Sequence, residues 1–178
     1  FDKTGTLTTG QLAVSRLAPQ GDIKPADLLK VAATAEKFSN HPTAKALATL
    51  AKEADLDLTD PTDFKETAGK GVEAKVDGAN VVIGRAQWLR DNGVGDNFES
   101  QVDLKEAEGY SLLYVAKEGA FIGWIGLQDA TRSEAKEALS DLLNSGVQRV
   151  AMVSGDRKPV ATRVAAEIGC AEVVAECL

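Results

Sequence analysis

Long apolar runs are missing from this sequence, as is any charged-then-apolar leader, so no segment is expected to cross a bilayer, which takes roughly 18 apolar residues or more. A surplus of basic charge is missing too. The 20 Lys and Arg stand against 27 Asp and Glu, a formal net charge of −7. That balance excludes a sequence-independent nucleic-acid binder, which must neutralise many phosphates, so no nucleic-acid partner is expected and any basic residue that meets a phosphate acts locally. Cysteine is scarce: Cys170 and Cys177 are too few for a disulfide framework or a complete zinc site, and both are expected as reduced thiols in a reducing, cytosolic setting. There is no initiating Met. The chain opens at Phe1 and stops at Leu178 without a cap or tail, and the expectation is a soluble piece of a longer protein.

What is present is enough apolar residue, 44% of 178 positions, to bury a core or two small ones. Residues 2–8 read as the end of a strand and a hydroxyl- and Gly-rich turn. The spacing of Leu28, Leu29, Ala32 and Ala35 predicts an amphipathic helix over 24–39, and a second starts at Pro42. Residues 64–83 alternate and turn at Gly69-Lys70-Gly71 and at Asp77-Gly78, a strong hairpin signal. Short helices are expected over 85–92 and 98–108, each followed by Gly, then a second hairpin around Glu118-Gly119. From 129 onward the texture becomes helix (133–145), apolar strand (150–153), loop and helix (from Pro159 to Gly169), the alternation of a parallel α/β sheet. The expected fold class is therefore α/β, with an antiparallel α+β domain inserted into a partial Rossmann-like one. The inserted domain is placed at 14–125 and the flanking domain at 1–13 and 126–178.

Asp2 falls where a strand runs out at the carboxyl edge of a parallel sheet, the place open α/β folds put reactive groups. A carboxylate there can attack the terminal phosphorus of ATP while Lys3, the backbone over Thr4 to Thr6 and a magnesium ion held at Asp2 and Thr4 offset the charge. A turn whose Asp merely caps the following backbone would look the same. The seven residues D-K-T-G-T-L-T at 2–8 resemble the phosphorylation signature of P-type ATPases, within the haloacid dehalogenase-like superfamily. In that superfamily's phosphatases the second residue after the nucleophile is usually an Asp that serves as general acid and base. Here it is Thr4, and losing help worth about 10²- to 10⁴-fold should let an aspartyl phosphate persist.

Further motifs follow in the order the resemblance requires. Glu36-Lys37-Phe38-Ser39-Asn40-His41-Pro42 resembles the S-E-H-P region of the heavy-metal subgroup, with Asn40 in place of the usual Glu, and implies that Glu36 and His41 meet the adenine of ATP. The resemblance also implies a nucleotide-facing turn at Gly69 and Gly71, with a further glycine at Gly84, where Arg85 replaces the usual Asn. Asp129-Ala130-Thr131-Arg132 is similar to the D-x-x-R hinge, which puts Asp129 and Arg132 near the nucleotide when the inserted domain closes. A helix cap beside a solvated Arg would read alike. Ser154-Gly155-Asp156 is similar to T-G-D and implies a phosphate site. Trp88 and Trp124 are expected to be packing residues.

The resemblance implies the cytosolic, autophosphorylated part of a pump that carries a heavy-metal cation across a membrane, using ATP and Mg2+. D-x-x-R leans the cargo toward zinc, cadmium or cobalt over copper. The resemblance implies a conserved Lys and a G-D-G-x-N-D loop beyond Leu178, and membrane helices elsewhere in the parent. The rivals are a soluble haloacid dehalogenase-like phosphatase and a non-enzymatic nucleotide-binding module.

Overall fold

The computed structural model describes residues 1–95, 97–156 and 158–177. The chain divides into two units: unit 1 is Phe1–Leu12, Glu108–Tyr110 and Gln128–Leu178, and unit 2 is Ala13–Ala107 and Ser111–Leu127. Strands β1 (Thr8–Pro19) and β6 (Ala120–Thr131) each carry the chain through a boundary.

Unit 2 is built on an antiparallel sheet. The six-stranded sheet runs β1-β6-β5-β4-β3-β2, where β2 is Thr62–Thr67, β3 Gly71–Val76, β4 Ala79–Gly84 and β5 Ser111–Lys117. The β3–β4 hairpin turns at Asp77 (φ 49°) and Gly78 (φ 82°), and the β5–β6 hairpin at Glu118 (φ 50°) and Gly119 (φ 74°). Two successive positive φ values give the primed turn that matches strand twist, which is why Asp-Gly was readable. The Glu118 carboxylate supports its turn by accepting from the Asn80 backbone N–H.

Alternation along β4 sends Val81 and Ile83 to one face and Val82 to the other. Helix α1 (Pro25–Ala35) packs on β3, β4 and α2 (Pro42–Glu53), burying Leu28, Leu29, Ala32 and Leu47. Across the sheet, α3 (Ala86–Asp91) packs on β4 and β5, where Leu89, Val94, Phe98 and Ala116 form a core flanked by Val82, Tyr114 and Phe121.

Unit 1 has a short parallel sheet. β7 (Ala151–Val153) pairs in parallel with β8 (Glu172–Val174), and Phe1-Asp2 extends it on the other side. The Phe1 terminal ammonium donates to Ala151 O at 2.8 Å, and Val153 N donates to Phe1 O at 2.7 Å. Helices α5 (Ala135–Asn144) and α6 (Lys158–Ile168) cover it, closing a core of Leu7, Leu139, Met152, Ala161, Val164 and Ile168. Cys170 is buried and Cys177 exposed, both as free thiols.

Two expected helices need correction, one alternative falls away and one strand was not foreseen. The helix expected over 24–39 ends at Ala35, because Glu36 to Asn40 turn back on themselves through Ser39 N–H to Glu36 O at 2.9 Å. The helix expected over 98–108 is two pieces, a 3-10 turn over Phe98–Gln101 and a one-turn α4 (Leu104–Ala107), the second capped by Asp103, whose Oδ1 accepts from Lys105 N at 2.8 Å. Asp129 caps no helix: it lies within β6. β1 went unread, because Leu12, Ala13, Val14 and Leu17 do not alternate.

Candidate functional site

In unit 1 the parallel bridge between Asp2 and Val153 puts Asp2 and Ser154 at the ends of neighbouring strands. Asp2 is exposed, and the chain then turns through Lys3–Leu7, with Gly5 at φ 79° supplying a reversal that an L side chain resists. The turn is closed by two donors to Lys3 O, the Thr8 backbone N–H and, at 3.1 Å, the Thr8 hydroxyl. Thr4 and Thr6 remain exposed.

Lys3 is only 3% exposed, and its ammonium lies 2.6 Å from Asp129 Oδ2 and 3.0 Å from Asp156 Oδ2. Burial disfavours its charge, but the hydrogen bonds and charges of the two carboxylates outweigh that and hold its pKa above the usual lysine value. Asp156 Oδ2 is buried and paired with Lys3 by charge, yet lacks a hydrogen bond of good geometry. Arg132 donates from Nε to Thr6 O at 2.9 Å and from Nη2 to Gly5 O at 3.0 Å, and so clamps the carbonyls of the Asp2 turn. Ser154 is 4% exposed, and its Oγ accepts from Asp156 N at 3.1 Å. Glu176 N donates to Asp156 O at 3.0 Å, fixing the far side of this loop. The nine residues Asp2, Lys3, Thr4, Thr6, Asp129, Arg132, Ser154, Gly155 and Asp156 all belong to unit 1.

The other five expected site residues belong to unit 2. His41 caps α2: Thr43 N donates to its Nδ1 at 3.3 Å. Glu36, at the C-cap of α1, is 5% exposed. Burial first and then the nearby Glu66 raise its pKa, against a hydrogen bond with Ser39, to about 7.

Gly69 sits at φ 73° in the β2–β3 turn, whereas Gly71 and Gly84 face each other across β3 and β4. A Cβ on Gly71 would lie 2.0 Å from Ile83 O and 2.5 Å from Trp88 Cδ1, and one on Gly84 would lie 2.7 Å from the same Trp88 atom. Both glycines therefore make room for Trp88, a packing demand that stands whether or not a nucleotide approaches. Trp88 and Trp124 are 7% and 1% exposed, as expected of packing residues.

Sequence reasoning missed the pairing of Lys3 with Asp129 and the Arg132 clamp, which join residues 126 and 127 positions apart, and the pairing of Lys3 with Asp156. It also missed Phe38, 52% exposed between Glu36 and His41. An apolar ring in so polar a segment was the signal that could have found it.

A family model for haloacid dehalogenase-like hydrolases matches residues 1–177. Among curated proteins, the chain is 35% identical over 180 aligned positions to a copper-exporting P-type ATPase of Staphylococcus aureus, covering all of this chain and 22% of that protein. The chain thus spans about a fifth of that relative's length. Among solved structures it matches a zinc-transporting PIB-type ATPase with a TM-score of 0.88 and 33% identity, over 100% of this chain and 28% of that one. The catalytic domain of the CPx-ATPase CopB-B, solved in connection with nucleotide binding, matches with a TM-score of 0.64 and 26% identity, over 99% of this chain and 60% of that one. No described helix is long and apolar enough to cross a membrane.

Proposed function

We propose that this chain, which belongs to the haloacid dehalogenase-like hydrolase family, is the ATP-binding and phosphoryl-accepting part of a heavy-metal-transporting P-type ATPase, on the cytosolic face of a membrane. Unit 1 is the phosphorylation domain and unit 2 the inserted nucleotide-binding domain. The observation that carries the reading is an exposed Asp2 at a parallel strand end, followed by a buried Lys3 held between Asp129 and Asp156, with Thr4 in place of a second carboxylate.

ATP is the donor, with its base at Glu36 and His41 and its chain passing the Gly69 turn. One carboxylate oxygen of Asp2 bonds to the γ-phosphorus as the bond to the bridging oxygen breaks, and ADP leaves. Lys3 offsets charge on the transferring group, and the Ser154 hydroxyl, which accepts from Asp156 N, directs its own proton to a phosphoryl oxygen. Arg132 holds Gly5 and Thr6 in the turn so that its amides are set before the reaction. Thr4 provides no general base, so the acyl phosphate outlives its formation.

Among the described residues no three or more His, Cys, Asp or Glu side chains gather as a metal site. Magnesium needs no such cage, since one or two carboxylates complete its shell with phosphate oxygens and water. The Asp2 carboxylate and Thr4 carbonyl are hard oxygens suited to it, and Asp156 Oδ2, paired with Lys3, is another in the same unit. When bound, the ion neutralises charge shared by the phosphoryl and carboxylate oxygens.

The cargo is proposed as a heavy-metal cation. The lean toward zinc, cadmium or cobalt rests on D-x-x-R alone, and the copper-exporting relative weighs against it. The test uses the full-length parent in membranes with radiolabelled ATP and a panel of metal ions. A hydroxylamine-labile label that needs one metal and is lost in Asp2→Asn is expected. No label under any metal would sink the pump and leave a nucleotide-binding relative, while rapid turnover of simple phosphate esters would favour the phosphatase.

A further inference from the structure

Among the described residues of unit 2, one large apolar side chain is left exposed. The described large hydrophobics left exposed are Phe1, Phe38, Leu143, Val147, Val153 and Val174, and of these only Phe38 lies in unit 2. A phenyl ring left half in water forgoes favourable burial, so its position calls for a reason. Its surroundings are ordered. Phe64 on β2 meets the ring edge-to-face, with centroids 5.9 Å apart and planes at 81°, which fixes its orientation. Next to it, the Lys37 ammonium donates to Leu58 O at 3.1 Å and to Asp60 at 2.6 Å. On the other side His41 N donates to Ser39 Oγ at 3.1 Å. The segment between α1 and α2 is thus tied at both flanks of the ring while 52% of Phe38 stays in solvent.

Resting on the nucleotide reading above, we propose that Phe38 is the platform on which the purine ring of ATP stacks, between the Glu36 and His41 groups that meet the base edge. Every base has a π-face, so stacking supplies affinity while the polar groups supply choice. An anchored aromatic that already has its orientation loses little freedom when the base arrives.

The test is calorimetric titration of the whole chain with Mg-ATP and with inorganic tripolyphosphate, which has no base. Phe38→Ala should weaken ATP binding about 5- to 150-fold, the range that stacking on an aromatic gives, and leave tripolyphosphate unchanged. Phe38→Trp should restore ATP affinity, while Phe38→Leu, which keeps apolar bulk without a π-face, should behave as Ala. Wild-type affinity in Phe38→Leu, or equal losses for ATP and tripolyphosphate, would reduce Phe38 to a packing residue. ATP affinity unchanged in Phe38→Ala but lost in His41→Ala would remove Phe38 and keep the nucleotide site. No ATP binding by the unaltered chain would remove both.

Discussion

In unit 1 the side chains around the Asp2 turn are held by partners brought from 126 and 127 positions away, and the holding is ionic or charge-assisted: Lys3 with Asp129, Arg132 with the Gly5 and Thr6 carbonyls. In unit 2 the Glu36–His41 segment is held by near neighbours such as Ser39 and by an ion pair, Lys37 with Asp60, while its buried acid Glu36 feels the like charge of Glu66. The contrast teaches that the proposed phosphoryl site pairs its charges before a ligand comes, whereas the proposed base site leaves its buried acid beside a like charge. Each half of that statement can be broken separately, because Trp88 and Trp124 both lie in unit 2 and tryptophan emission therefore follows that unit.

The largest effect is expected from Glu36. Its carboxyl stays protonated in the folded state up to about pH 7, while the unfolded chain releases that proton from about pH 4.5. Below 4.5 both states hold the proton and Glu36 costs nothing. Between 4.5 and 7 only the folded state holds it, so stability falls as pH rises, and above 7 the whole cost is present. The gap corresponds to about 3 kcal/mol. Urea unfolding followed by tryptophan emission should show Glu36→Gln gaining stability over the unaltered chain from pH 5 to 8. A difference that does not change with pH would mean that Glu36 is not the isolated acid described.

Lys3 comes next. Lys3→Ala leaves Asp129 and Asp156 facing each other without their shared cation, and because both are partly exposed the loss should be about 1–3 kcal/mol, below that of a fully buried pair. Amide hydrogen exchange at Met152 and Val164 should accelerate while the tryptophan transition of unit 2 stays in place. A shift confined to the tryptophan transition would contradict the assignment of Lys3 to the unit 1 framework.

The same contrast explains what could be read from the sequence. Local signals were legible: Asp77-Gly78 made its hairpin, Pro25 and Pro42 opened their helices, and the D-K-T-G-T-L-T run marked the turn after a parallel strand. What a local pattern does not encode was lost. Lys3 reads as one basic residue in a turn, and nothing within twenty positions says that two distant carboxylates will bury it. Arg132 was expected near the nucleotide, and its clamp on the Asp2 turn could not be read because its acceptors are backbone carbonyls that any sequence would offer. Gly71 and Gly84 were legible as glycines but not as the floor beneath Trp88, which required the β3–β4 register.

The smallest effect separates two roles that one side chain combines. His41 was expected to touch the nucleotide, and its Nδ1 also caps α2 through Thr43 N. His41→Ala should therefore cost about 1 kcal/mol in unit 2 stability, the usual worth of an N-cap, besides any loss of ATP affinity. Asn caps a helix as well but presents no imidazole, so His41→Asn should keep the stability and still bind ATP less tightly. If His41→Asn binds ATP as the unaltered chain does, the weakening in His41→Ala belongs to the end of α2 and not to contact with the base, and His41 is then a residue that shapes the loop around Phe38 without reading the ligand.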